Sequence, residues 1–289
     1  MKNTNTKTVF ACVDGSKLSQ SVTAYGAFFS KTLNLPLALL HTVEHAHISA
    51  SMNLAGNIGL GSRDLLLETL VNEDETTSRE NIRKGKALLE IFKESAKDQG
   101  AHSVQIAQRH GTLYETLVEL ESSIRVLVLG LRGEDHEGDN FSIGTQVEEI
   151  VRSLHVPILL VNQEFKTPQK VLIAYDGSPS SKKALAMVLN EPLFAKIERH
   201  IVHVHHDKEA SEKLLNEARA LLGESALHNS VFVSLQGEPV AALLAYQEKQ
   251  GIDLMAMGAF SHSRLRDVLL GSFTAKILSQ TQKPLLLLR

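Results

Sequence analysis

Short apolar runs alternate with longer amphipathic segments along the whole chain. The runs hold four to six residues rich in Val, Ile and Leu, which is typical of strands buried on both faces of a parallel sheet. Because helical segments separate successive runs, we expect parallel strands joined by right-handed crossovers. The expected strands lie near 8–13, 37–43, 103–108, 125–130 and 157–162, and then near 170–175, 200–205, 230–235, 253–258 and 284–288.

The second set of runs repeats the first. An apolar run leads into Asp-Gly-Ser at Asp14 and again at Asp176, 162 residues later, and His41 and His203 have the same spacing. Glycines and the last strand later in the repeat are separated by only 126–128 residues. The first copy therefore carries an insertion of about 36 residues between 44 and 110.

The repeat predicts an α/β protein of two tandem, doubly wound domains, each a five-stranded parallel sheet flanked by helices. We place the first domain at 1–163 and the second at 170–289. The linker, 164–169, is too short to separate the domains widely, so we expect them to pack together.

The insertion has three parts of different character. Residues 48–62 are small and polar, with three glycines, and predict a loop. Residues 65–71 are rich in leucine and predict an apolar helix or the lining of a pocket. Residues 75–99 are charged, with an apolar stripe that includes Leu89, Ile91 and Ala96, and predict a helix packed on the sheet.

Composition narrows the class of protein. The 289 residues are 43% hydrophobic and 22% charged, typical of a globular protein, and the net charge of −3 favours neither nucleic acid nor anionic membrane as a partner. The single cysteine, Cys12, fits a reducing compartment, and we interpret it as a core residue. Without an apolar leader or a membrane-length apolar stretch, the sequence predicts a cytoplasmic protein.

Three features should meet at the carboxyl edge of each sheet, where doubly wound folds bind ligands. They are an aspartate after the first strand, a glycine after the fourth, and a glycine followed by Ser or Thr at the start of the last helix. These residues are Asp14, Gly130, Gly144 and Thr145 in the first copy, and Asp176, Gly258, Gly271 and Ser272 in the second. The glycine-hydroxyl pair would let a phosphate reach the amides at a helix N-terminus.

The glycine spacing resembles the universal stress protein family, whose nucleotide-binding members carry G-x2-G-x9-G-(S/T) after the fourth strand. In the second copy Ser261 stands at the second glycine position. In the first copy Gly133 keeps that glycine, but the loop to Gly144 is one residue longer. The resemblance covers the whole chain as two tandem domains.

Membership would imply binding of ATP or AMP, with the aspartate near adenine and the glycine loop on ribose and phosphates. Mg²⁺ would be the ion accompanying a triphosphate. The resemblance also implies that domains pair through their fifth strands, here 157–162 against 284–288, and it leaves a further homodimer open. An unidentified protein partner would detect the bound state. We expect no catalytic residues, and at most slow ATP hydrolysis.

Charge in the glycine loops distinguishes the two candidate sites. The first loop holds four carboxylates, at 134, 135, 137 and 139, which would repel a phosphate. The second holds His262, Arg264 and Arg266 against Asp267, which suits an anion. We therefore assign the nucleotide to the second copy, with Val204 close to the base.

Three alternatives remain: metal binding by the histidines near 200–206, and two other functions for the chain. His203 and His205 would face one side of a strand at a spacing that permits metal binding, although hydrogen-bonded or solvated histidines are the more common case. The chain could instead be an interaction scaffold without nucleotide, or a carrier of a small apolar ligand beneath 48–71. Detection of bound nucleotide, or of a co-purified metabolite, separates these functions.

Overall fold

The computed structural model describes residues 7–43, 60–131, 145–259 and 271–289, apart from the side chains of 60–77, 145, 224 and 225. The first half contains β1 (Thr8–Cys12), α1 (Leu18–Leu33), β2 (Leu37–Val43), α2 (Leu60–Asp98), β3 (Val104–His110), α3 (Leu113–Leu120), β4 (Ile124–Gly130), α4 (Thr145–Ser153) and β5 (Ile158–Val161). The second half contains β6 (Lys170–Ala174), α5 (Pro179–Asn190), β7 (Glu198–Val204), α6 (Lys208–Ala220), α7 (Glu224–Leu227), β8 (Ser230–Leu235), α8 (Pro239–Gln250), β9 (Leu254–Gly258), α9 (Ser272–Gln280) and β10 (Leu285–Leu288).

The strands form one ten-stranded sheet in the order β3-β2-β1-β4-β5-β10-β9-β6-β7-β8. Neighbouring strands within each half are parallel, which confirms the predicted doubly wound fold. The order reverses between β1 and β4 in the first half and between β6 and β9 in the second. Ligands of such sheets bind at these reversals, beyond the carboxyl ends of the strands.

Two apolar layers cover the sheet, one on each face, and both run through the two halves. One layer packs α1, α2, α5 and α6 against residues such as Val9 and Ile173. The other packs α3, α4, α8 and α9 against residues such as Leu127 and Met255. Side chains alternate between the faces along each strand, so a strand buried on both sides must be apolar throughout.

The insertion differs from its prediction. Residues 60–62 are not loop but the start of α2, which continues without a break to Asp98 for 39 residues. Gly61 lies in the first turn, where amides have no intrahelical partner, so glycine there does not stop the helix. Leu89 and Ala96 face the sheet as predicted, whereas Ile91 is 67% exposed. Residues 48–59 lie outside the described residues.

Long as it is, α2 is not apolar over a membrane-spanning length, and neither is any other helix within the described ranges.

The two halves join through their last strands, as the sequence predicts. β5 and β10 pair antiparallel, with Leu159 opposite Leu286 and Leu160 opposite Leu285. Both strands are fully buried. Left unpaired, each would be an apolar sheet edge and a hazard for aggregation, so their pairing removes two such edges together.

The linker between the two halves, 164–169, contacts both of them. Phe165 packs edge-to-face on Tyr25 of α1, with 4.7 Å between ring centroids. Asp253, only 6% exposed, accepts hydrogen bonds from Lys166 Nζ (2.7 Å) and from the amides of Gln169 (2.8 Å) and Lys170 (3.1 Å). Burial raises the pKa of Asp253, but these hydrogen bonds outweigh it and leave the pKa below its ordinary value.

Replacing Asp253 should weaken the fold in a pH-dependent way. Asp253→Ala leaves two backbone amides without their acceptor, and we expect it to lower the free energy of unfolding by about 3 kcal/mol at pH 7. Because the folded-state pKa is lowered, the stabilisation is present above the unfolded pKa of about 4 and is lost as pH falls through the folded value.

Urea unfolding of both proteins at pH 7 and in acid tests this, with the exposed Glu248→Ala as control. The difference between wild type and Asp253→Ala should shrink in acid, and the control should stay within about 0.5 kcal/mol of wild type. A difference that is constant with pH would show that the carboxylate charge does not contribute.

Candidate functional site

The predicted site residues of the second half that are described lie at one edge of the sheet. β6 runs parallel to β9 and to β7, so the strand ends bring Asp176, Gly258 and Val204 to the same edge. Gly271 and Ser272 stand at the start of α9. This helix leads into β10, the strand that pairs with β5 of the first half. Ser261, His262 and Arg264 lie outside the described residues, so they remain predictions.

The loop after β6 holds the Asp176 carboxylate in place. The Ser178 amide donates to Asp176 Oδ1 (2.9 Å), and the Asp176 amide approaches Ser181 Oγ (3.4 Å). The Ser178 side chain caps α5 by accepting from the Ser181 amide, and Pro179 starts the helix. Burial raises the pKa of Asp176, but hydrogen bonds from Ser178 and Ser181 outweigh it, so the pKa lies below its ordinary value. An exposed, ionised acceptor therefore stands at the edge.

The first half builds the same loop around Asp14. The Ser16 amide donates to Asp14 Oδ1 (2.9 Å), and Ser19 Oγ lies 2.7 Å from the same oxygen and 2.9 Å from the Asp14 amide nitrogen. In both halves the serine five residues after the aspartate completes the loop. The sequence analysis stressed Asp-Gly-Ser alone and missed this second serine, although its repetition at Ser19 and Ser181 was visible.

Gly258 and Gly271, both predicted nucleotide contacts, lie in different surroundings. A Cβ at Gly258 would come within 2.6 Å of the Ser180 carbonyl and 2.9 Å of the Ser181 amide nitrogen, so packing against the start of α5 already requires glycine. Among the described residues, the atom nearest to a Cβ at Gly271 would be Thr274 Oγ1, at 3.9 Å. Of the two glycines, only Gly271 is clear of close contacts with the described residues.

The start of α9 is suited to an anion. Gly271 is the N-cap, with φ −55° and ψ 137°, and provides no side-chain acceptor for the first-turn amides. The first intrahelical hydrogen bond runs from the Ala275 amide to the Gly271 carbonyl. The amides of residues 272–274 therefore precede the helical hydrogen bonds, and they lie at the positive end of the helix dipole.

Less of the first-half site is described. Asp14 and Gly130 stand at the ends of β1 and β4, which are paired in parallel. Gly133 and Gly144 lie outside the described residues, and so do the four acidic residues between them. Thr145 begins α4, but its side chain is outside the description.

The repeated histidines anchor helices to the sheet. His203, 8% exposed, lies opposite Ser234 on β8 and places Nδ1 3.0 Å from Ser211 Oγ of α6. His41 lies opposite Gln108 on β3 and donates from Nδ1 to the Val13 carbonyl (2.9 Å). Burial lowers the pKa of His203, and His205 lowers it further, while Asp176 raises it. His203 is therefore neutral at neutral pH.

Gly85 makes the same contact possible in the first half. It is the counterpart of Ser211, 126 residues earlier. A Cβ at Gly85 would lie 2.5 Å from His41 Cδ2 and 2.3 Å from Gln108 Nε2, so α2 rests directly on the two strand side chains. In the second half the Ser211 hydroxyl fills this position and hydrogen-bonds to them.

The remaining histidines near the site also have internal partners. Both ring nitrogens of His200 are engaged, by Tyr246 and by Glu198, each at 2.7 Å. His205 stacks on His203 with 5.7 Å between ring centroids and accepts at Nδ1 from the Asp207 amide. Within the part of the chain that the structure describes, no three His, Cys, Asp or Glu side chains are grouped as metal ligands.

Cys12 is not an activated thiol. It lies at the end of β1, two residues before Asp14. Burial raises the pKa of Cys12 well above its ordinary range, and Asp14 raises it further. A protonated thiol is a poor nucleophile, consistent with its interpretation as a core residue.

Comparisons with known proteins agree on one family. Residues 5–162 and residues 167–289 each match the universal stress protein family. Universal stress protein Slr1230 of Synechocystis is 34% identical over 287 residues, which cover 98% of this chain and 100% of that protein. Universal stress protein Rv2005c of Mycobacterium tuberculosis is 24% identical over 299 residues. The crystal structure of a universal stress protein from Archaeoglobus fulgidus shares the fold with a TM-score of 0.71 at 18% identity, covering 100% of this chain and 99% of that one.

Proposed function

The chain belongs to the universal stress protein family, and we propose that it acts in the stress response by binding an adenine nucleotide, ATP or AMP, in its second half. The observation that carries the proposal is the pairing, at one sheet edge, of a fixed carboxylate at Asp176 with the open helix start at Gly271 and Ser272. The carboxylate is an acceptor suited to the adenine amino group, and the helix start is suited to phosphate.

Loop charge favours the second half over the first. The residues between Gly258 and Gly271 include two arginines, one histidine and two serines against one aspartate, whereas those between Gly130 and Gly144 include four carboxylates. At ~8 Å and an effective dielectric of ~20, each carboxylate would cost a phosphate about 2 kcal/mol before screening.

A triphosphate would bring Mg²⁺ with it. Since the described residues offer no group of three metal-ligating side chains, the ion would take its ligands from phosphate oxygens and water. The protein would then hold the ion only through the nucleotide.

Titration calorimetry of ATP and of AMP into the full chain tests the proposal. We expect one nucleotide per chain and weaker binding at higher salt, because the phosphate is held by charge and dipoles. Asp176→Ala should weaken binding by about tenfold or more, the equivalent of a hydrogen bond to a charged group.

Asp14→Ala is the matched control, since it breaks the same loop hydrogen bonds in the other half. It should leave the affinity unchanged. Equal losses in both variants would place nucleotide in both halves, and a loss in Asp14→Ala alone would place it in the first half. Absence of binding by the wild type would overturn the proposal and favour a nucleotide-free interaction scaffold.

A further inference from the structure

Asn162 links the first half to the far end of α9. It follows β5 directly, and its Nδ2 donates to the carbonyls of Thr281 (2.9 Å) and Lys283 (3.1 Å). Thr281 is the C-cap of α9. One side chain of the first half therefore holds the carboxyl end of the helix whose amino end carries Gly271 and Ser272.

Arg289 makes the reciprocal contact. It stands 127 residues after Asn162, at the same point of the repeat, directly after β10. Its guanidinium donates to the carbonyls of Val151 (2.9 Å) and Arg152 (2.5 Å), at the carboxyl end of α4. Each half thus caps the last helix of the other half, with a neutral amide on α9 and a cation on α4.

The Asn162 amide is poorly satisfied in other respects. Its Oδ1 is buried and has no hydrogen-bond partner among the described residues. A buried acceptor without a partner is destabilising, so it offsets part of the stabilisation from the two hydrogen bonds that Nδ2 donates. The clear effect of this side chain is therefore on the position of α9.

We propose that Asn162 is a positioning residue for the nucleotide site of the second half, acting through α9; this rests on the proposed function. The nine residues of α9 form a rod of about 13 Å, so an anchor at its carboxyl end fixes where its first-turn amides point. Because binding and helix position are linked, nucleotide at the amino end should in turn tighten the contact at Asn162.

Two substitutions on the full chain separate this role from simple stability. Asn162→Ala removes both donors and the unpaired oxygen together, so we expect little change in unfolding free energy and a loss of nucleotide affinity of about fivefold. Arg289→Ala, the matched control, releases α4 instead and should leave nucleotide affinity at the wild-type value.

Hydrogen exchange without nucleotide provides an independent readout. Asn162→Ala should speed amide exchange in 271–280 and not in 145–153, and Arg289→Ala should do the reverse. Unchanged exchange in α9, or an affinity loss equal in both variants, would overturn the positioning role. If the wild type binds no nucleotide, the proposed function fails with the affinity part of this inference, whereas the exchange result still decides whether Asn162 anchors α9.

Discussion

Gly271→Asp should strongly weaken nucleotide binding in the second half while leaving the fold intact. The new carboxylate would stand at the amino end of α9, where the proposed phosphate binds. Two like charges ~4 Å apart repel by about 4 kcal/mol at an effective dielectric of ~20, and solvent exposure reduces this to about half, which corresponds to a loss of affinity of about 30-fold or more.

The fold should tolerate the change for two reasons. A Cβ at Gly271 has no neighbour closer than 3.9 Å among the described residues, and φ of −55° suits any residue. Aspartate is also among the preferred N-cap residues, because its carboxylate accepts from the first-turn amides. The same amides would thus be satisfied by the protein instead of by the ligand.

Gly223→Asp is the matched control. Gly223 is also an N-cap glycine, with φ −72° and no described atom within 4 Å of a Cβ, but it precedes α7 at the opposite edge of the sheet. Calorimetry with ATP measures the affinity of both variants, and thermal unfolding shows whether each keeps its fold. Full affinity in Gly271→Asp would remove the start of α9 from the site, and a loss of affinity in Gly223→Asp would show a nonspecific charge effect.

The repeat and the apolar pattern were enough to predict the sheet. Every strand was found within two residues of its bounds, because strands buried on both faces must be continuously apolar and therefore stand out. The pairing of β5 with β10 was implied by the resemblance to the universal stress protein family, and the apolar composition of both edge strands is consistent with it. These features depend on local composition, which a sequence displays directly.

The insertion and the roles of individual site residues could not be predicted in the same way. The polar residues 72–81 interrupt the apolar stripe of α2 without interrupting the helix, so periodicity alone divided one helix into parts. Gly85 is required by contact with His41 and Gln108, which lie on neighbouring strands but far apart in the sequence. Such requirements arise only when the elements are packed together.

Gly258 shows most clearly that packing can impose a requirement that the sequence does not display. The motif assigns it to the phosphates, together with Gly271, but its neighbours in the structure are backbone atoms of α5. A position can therefore match a ligand-binding motif and still be required, in the first place, by packing. Alanine substitution at the two glycines separates these reasons.

Gly258→Ala should lower the free energy of unfolding by about 3 kcal/mol, the upper range for overpacking, because the methyl group would meet the Ser180 carbonyl at 2.6 Å. Backbone cannot swing aside like a side chain, so the first turn of α5 must move away from β9. That turn supplies Ser178 and Ser181 to Asp176, and nucleotide affinity should fall with the displacement.

Gly271→Ala is the comparison, since it adds the same methyl group where there is room. Its unfolding free energy should stay within about 1 kcal/mol of wild type, because alanine restricts the unfolded chain but is a slightly poorer N-cap than glycine. Urea unfolding of both variants gives the stability, and calorimetry at low urea gives the affinity of the folded fraction. Wild-type stability in Gly258→Ala would mean that α5 yields without cost, and the glycine would then have to be explained by the ligand.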